Sequence, residues 1–124
     1  MNTTVTQGSI GMSAAIYKLT ELGYRVAIPL VDNQEYDLIV DIEGDLAKVE
    51  VKSTSVKQSS GSWSVQIKKV RPNKTENTIT GFNNNLVDYL FVYTTEGDCF
   101  FIPSEDIDTK CQLSVPGKYE HYRL

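Results

Sequence analysis

The stretch YDLIVDIEGDLAKVEVKST, residues 36–54, decides how the rest of the chain is read. Apolar and polar residues alternate, a Gly-containing turn follows, and the alternation resumes, which is the pattern of a β-hairpin. Its ends are charged: Asp37 opens the first run, while Glu50, Val51 and Lys52 close the second. With the turn centred near Gly44 and Asp45, residue 37 comes opposite residue 51 or 52. Asp37 then lies beside the Glu50 to Lys52 segment. Residues two apart on a strand share a face, so Glu50 and Lys52 project together. Two carboxylates and an ammonium group therefore converge at one end of a sheet.

That convergence has two readings. Glu-X-Lys on an amphipathic strand is an ordinary solvent-face pattern, and Asp37 by itself suits a turn. The joint order is more particular: an aspartate, a hairpin, Glu-X-Lys, a helix before them and a basic segment after them. It suits a hard divalent cation, because Mg2+ takes oxygen ligands and uses only one or two carboxylates, leaving other positions to water and substrate phosphate. Asp37, Glu50 and the Val51 carbonyl are the candidate ligands for Mg2+, with Mn2+ as a substitute. A cation held there polarises a scissile phosphate and acidifies a bound water. Lys52 orients the nucleophile or stabilises charge developing on the phosphate. Asp37, Glu50 and Lys52 are thus the candidate catalytic residues.

A chain of 124 residues suits one domain with a modest core. Its longest apolar runs, such as YLFVY, are a handful of residues, and the opening MNTTVTQGSIG has neither a basic n-region nor an apolar h-region. The expectation is an intracellular, cytoplasmic protein with no membrane partner, for which a phage gene is one possible source. Cys99 and Cys111 are too few for a disulfide scaffold and lack metal-finger spacing, so both are expected reduced, with Cys99 packed in a strand. His121 reads as a surface residue.

The net charge of −4 argues against nucleic acid only until its distribution is considered. Between Leu46 and Thr75 stand Lys48, Lys52, Lys57, Lys68, Lys69, Arg71 and Lys74, with Glu50 the single acid; elsewhere five basic residues accompany fifteen acidic ones. Such polarity permits a phosphate-attracting surface or a solvated lysine-rich loop. Lys57, Trp63, Gln66, Lys68, Lys69, Arg71 and Lys74 are the candidate DNA contacts. The basic groups would meet phosphates, while Gln66 or one of Asn83, Asn84 and Asn85 would read base edges. Trp63 reads equally well as a core anchor.

Along the chain, residues 1–7 are polar and expected to be loose. Ser9 to Leu22 carries apolar residues at helical spacing, closed by Gly23. YRVAIPLV is strand-like, with Pro29 confined to an edge or bulge. Residues 53–62, STSVKQSSGS, suggest a mobile loop, and WSVQIKKV resumes strand alternation. Residues 71–86 are rich in turn formers, with a short helix expected near their end. VDYLFVYTT and CFFIPS form a second hairpin around Glu96, Gly97 and Asp98, followed by a capped helical turn from Ser104. The order is that of an α/β or α+β sheet with few helices.

EYDLIVDIEGDLAKVEVKST resembles the active-site hairpin of the PD-(D/E)XK nuclease superfamily. GSIGMSAAIYKLTELGYRVAIPLVDNQEYDLIVD, then KVEVKST and VDYLFVYTTEGDCFFIPSEDI, are similar to its small group I intron-encoded (homing) endonucleases, from about Gly8 to Ile107. The resemblance implies one restriction-endonuclease-like domain over residues 1–124, with a mixed central β-sheet and few flanking helices. It also implies Mg2+-dependent hydrolysis of DNA phosphodiesters, with Asp37 and Glu50 as metal ligands, Lys52 as the catalytic lysine and Thr54 helping to shape the site. Holliday-junction resolvases are the next branch, and a DNA-binding protein that kept the fold with weakened catalysis is the alternative from another class. Many relatives place an acid on the first helix, where this chain has Met12 and Ser13, with Glu21 further along; Tyr36 replaces the proline that often precedes the aspartate. The expected partner is duplex or branched DNA. Because cutting both strands needs two centres, a homodimer or homotetramer is expected, with YLFVY and CFFIP as its interface or as core.

Overall fold

A computed structural model describes residues 3–32, 35–72 and 77–124, and the side chains of residues 5–32, 35–69 and 79–124. The described residues begin with helix α1 (Thr3–Glu21) and continue through nine strands. These are β1 (Arg25–Ala27), β2 (Leu38–Ile42), β3 (Asp45–Thr54), β4 (Trp63–Gln66), β5 (Lys69–Pro72), β6 (Asn77–Thr80), β7 (Tyr89–Thr94), β8 (Cys99–Pro103) and β9 (Gln112–Val115). Short 3-10 turns cover Ser104–Asp106 and Gly117–Tyr122.

Five strands form the central sheet in the order β1-β2-β3-β7-β8, while β4-β9 and β5-β6 are separate two-stranded ribbons. The β3 to β7 pairing is parallel and the other pairings are antiparallel, so the central sheet is mixed. Its two faces bury different clusters because successive strand residues point opposite ways. Ala15 and Leu19 of α1 pack with Leu38, Val40, Val49 and Phe91 on one face. On the other, Leu90, Val92, Phe100 and Ile102 meet Trp63, Val65, Leu113 and Val115 of the β4-β9 ribbon.

Helix α1 begins earlier than its apolar spacing suggests. Residues 3–7, read as loose, belong to it, and Gln7 donates a side-chain hydrogen bond to the Ser53 hydroxyl at 3.2 Å. Gly11 lies so close to β3 that a β-carbon would come within 3.2 Å of Ser53. The helix closes as expected at Gly23, whose φ is +90°. The amides of Gly23 and Tyr24 bond back to Thr20 and Leu19, the paired bonds of a Schellman motif.

The first hairpin turns one residue earlier than the sequence reading placed it. Ile42 pairs with Asp45, leaving Glu43 and Gly44 at the corner with φ of 54° and 98°. A two-residue turn with both angles positive matches strand twist. Leu38 pairs with Val49, and just before that ladder the Asp37 amide bonds the Val49 carbonyl while its carboxylate accepts the Val51 N–H, so Asp37 meets the segment Val49 to Val51. In the second hairpin, Tyr93 pairs with Cys99, and the Gly97 amide bonds the Thr94 carbonyl, again slightly earlier than expected.

WSVQIKKV is not one strand. The amides of Ile67 and Lys68 both bond the Cys111 carbonyl, a bulge-like arrangement that ends the β4-β9 ladder before β5 begins. Near Asn83 the chain makes a turn instead of a short helix, with the Asn85 amide bonded to the Asn83 side chain. The turn at Ser104 is present, but no side chain caps it. YLFVY and CFFIP are core rather than exposed interface: Leu90, Phe91, Val92, Phe100 and Ile102 are buried. Beyond β8, Arg123 bridges Phe100 and the Leu124 amide bonds the Cys99 carbonyl, covering part of that sheet edge. Cys99 is buried in β8, Cys111 is a free exposed thiol, and His121 is exposed against Tyr122. Among the described residues, no helix is long and apolar enough to cross a membrane.

Candidate active site

Asp37 enters the site from the start of β2. Its amide bonds the Val49 carbonyl at 2.8 Å, and its Oδ2 accepts the Val51 N–H at 2.8 Å. Both bonds hold Asp37 against β3, near enough to Glu50 for the two carboxylates to interact electrostatically. Val51 lies between Glu50 and Lys52, half-buried, with its N–H held by Asp37.

Glu50 is the unusual residue. Its side chain is only 8% exposed, yet it is flanked in the sheet by Leu90, its parallel partner on β7. Lys52 Nζ lies 3.7 Å from Glu50 Oε1, and Lys69 Nζ lies 3.0 Å from Oε2. The Lys69 ammonium is thus the counter-charge held against the buried Oε2. Burial pushes the Glu50 carboxyl above its ordinary value; Lys69 opposes this, Asp37 adds to it, and Lys52 opposes it.

A buried carboxylate beside a second carboxylate is a donor set chemically suited to a hard cation. Among the described residues, no group of three or more acidic, histidine or cysteine side chains is close enough to hold a metal, so the carboxylate set is the pair Asp37 and Glu50. The helix supplies no third acid. A small cleft beside Asp37 is lined by Met12, Ile28, Pro29, Asp32 and Tyr36. Glu21 sits nine residues beyond Met12, about 13 Å of helix rise away, where it bonds the Tyr17 hydroxyl. Asp32, on the cleft wall, was not singled out from sequence; its position in a turn between strands gave no periodic signal.

The candidate DNA contacts divide by location. Lys69 joins the active site through Glu50, a placement that its strand spacing did not disclose. Gln66 is exposed at the end of β4 and Lys68 is half-exposed next to it. Lys57 is exposed, pairing with Glu96 at 2.8 Å and lying 5.4 Å from the centre of the Trp63 ring. Trp63 itself is 5% exposed in the core, so it presents no open face for a base to stack on; the core-anchor reading is the correct one. Asn83 and Asn84 are engaged locally, Asn84 donating to the Ser104 carbonyl. The Arg71 side chain and Lys74 lie outside the described residues. Thr54 is buried and donates to the Ser64 carbonyl, tying β3 to β4.

The family model described as PD-(D/E)XK endonuclease matches residues 1–121. Among solved structures, a bacterial homing endonuclease, I-Ssp6803I, is similar with a TM-score of 0.81 and 27% identity, covering 97% of this chain and 88% of that one. No curated protein matches.

Proposed function

This chain belongs to the PD-(D/E)XK endonuclease family, and we propose that it is a Mg2+-dependent, homing-endonuclease-like DNA endonuclease centred on Asp37, Glu50 and Lys52. The observation that carries the metal dependence is Glu50: a buried carboxylate close enough to Asp37 for the two negative charges to oppose each other. Asp37 and Glu50, with the Val51 carbonyl, would hold Mg2+, or Mn2+ in its place. When bound, the cation supplies charge to polarise the scissile phosphate and acidify a water.

The protein's own groups do the rest. Asp37 keeps its orientation through the Val51 N–H, so the two carboxylates meet the ligand already placed. Lys52, part-exposed on the same strand face as Glu50, presents an ammonium to the attacking water and to charge developing on the phosphate. Water attack at phosphorus breaks one P–O bond, and the departing sugar oxygen takes up a proton. Lys57, Gln66, Lys68, Lys69, Arg71 and Lys74 are the proposed DNA-facing set, with target preference built from modest contacts and DNA deformability. Residues 1–124 act as one domain, and a homodimer or homotetramer supplies the second centre that a double-strand cut requires.

A second reading has a specific observation in its favour. Met12 occupies the cleft wall beside Asp37, so the site rests on two carboxylates, as it would in a DNA-binding protein with weakened catalysis. One experiment separates these readings. Supercoiled plasmid, matched linear duplex and a four-way junction are incubated with Mg2+, Mn2+ or chelator, with Lys52→Ala alongside. Metal-dependent cutting of duplex that Lys52→Ala loses is the expected result. Junction preference would favour a resolvase, and tight binding without cutting would favour the weakened site.

A further inference from the structure

Two lysines address one buried carboxylate, and they come from different parts of the fold. Lys52 stands two residues from Glu50 on β3, its ammonium 3.7 Å from Oε1. Lys69 arrives from the β5-β6 ribbon, which is not hydrogen-bonded into the central sheet, and reaches Oε2 at 3.0 Å. A divalent cation on Glu50 and an ammonium at that distance from the same oxygen repel each other strongly in a partly buried site. Lys69 has somewhere to go, because its side chain is 23% exposed at the mouth of the site.

Resting on the metal-site reading above, we propose that Lys69 is a displaceable counter-ion. It neutralises Glu50 while no divalent cation is bound and leaves that oxygen when one binds, becoming available to a DNA phosphate. A single ammonium at 3.0 Å on a part-exposed stem is a weaker counter-charge for a carboxylate than a divalent cation, which favours the exchange. Lys69 is therefore a positioning residue for Glu50 in the metal-free protein and a phosphate contact in the metal-bound one.

The test measures Mn2+ binding to the DNA-free protein by electron paramagnetic resonance, at one pH and ionic strength, for the parent, Lys69→Met and Lys69→Arg. Lys69→Met retains the length of the stem without its charge and should bind Mn2+ about tenfold more tightly. Lys69→Arg should bind like the parent. Tighter binding is a gain that damage to the fold would not produce, and thermal unfolding of the three proteins verifies that they are folded. A companion titration follows duplex binding against salt. In Ca2+, Lys69→Met should lower the slope by about one counterion, whereas in chelator it should leave the slope unchanged. Unchanged or weaker Mn2+ affinity in Lys69→Met, or an equal change of slope with chelator, would overturn the exchange while leaving the metal site intact. Absence of Mn2+ binding in all three proteins would overturn the metal-site reading and this inference with it.

Discussion

The two hairpins of the central sheet, β2-β3 and β7-β8, are built alike and used differently. Each turns through a residue with positive φ, Gly44 in one and Gly97 in the other, and the inner strands β3 and β7 run side by side. At matching positions Glu50 lies next to Leu90 and Lys52 next to Val92. On β7 these positions are apolar and buried under the β4-β9 ribbon. On β3 the same face carries charge at the margin of that cover, where Lys52 and Lys69 still reach water. The difference teaches that the site is a boundary effect: the core that stabilises β7 also desolvates Glu50.

The largest expected effect comes from making the first hairpin resemble a neutral one. Glu50→Gln or Lys52→Ala should lower the cleavage rate by roughly a thousandfold or more, while the far-UV circular dichroism stays that of the parent. An active Glu50→Gln protein would remove Glu50 from the metal site.

The opposite perturbation strikes the second hairpin and its cover. Leu90→Ala should cost roughly 2–5 kcal/mol of stability, and Trp63→Ala about 3–5 kcal/mol, both read by denaturant unfolding. Cleavage per folded molecule should survive Trp63→Ala within a few-fold. A selective loss of DNA affinity with unchanged stability would return Trp63 to the list of DNA contacts.

A pH titration sharpens the comparison on Glu50 itself. Because the folded protein holds this carboxyl above its ordinary value, its contribution to stability is full below the unfolded glutamate value and is lost as pH rises through the folded one. Metal binding has the reverse sign, since a cation competes with that proton. Mn2+ affinity should therefore climb with pH in the range just above ordinary glutamate titration. A flat affinity there would mean that another ligand governs the site.

The smallest effect belongs to the exposed rim. Lys57→Ala breaks the pair with Glu96 and should change stability by less than about 1 kcal/mol. Its contribution to duplex binding should show as a loss of about one counterion in the salt slope, measured by fluorescence anisotropy.

Much was legible in the chain itself. Alternation at period two marked both hairpins, apolar spacing and Gly23 marked the helix and its end, and the local pairing of Asp37 with the Glu50 segment needed only a short turn. That reading was tolerant of a small slip in register, because Asp37 had to meet the segment either way. The order of Asp37, Glu50 and Lys52 along the chain was also enough to suggest the family that the profile match shows.

What sequence could not supply lies at longer range. Whether Trp63 faced DNA or core depended on β9, a strand about fifty residues away that pairs with β4. Lys69 looked like any other lysine in a basic segment until the bulge at Ile67 and Lys68 brought the following ribbon to Glu50. The physical reason is common to both: alternation and turn chemistry act between neighbours and determine elements, whereas burial and ion pairing depend on which elements meet. The sequence determined that a carboxylate pair and a lysine share one hairpin; only the tertiary structure decided that Glu50 is buried and that a second lysine stands over it.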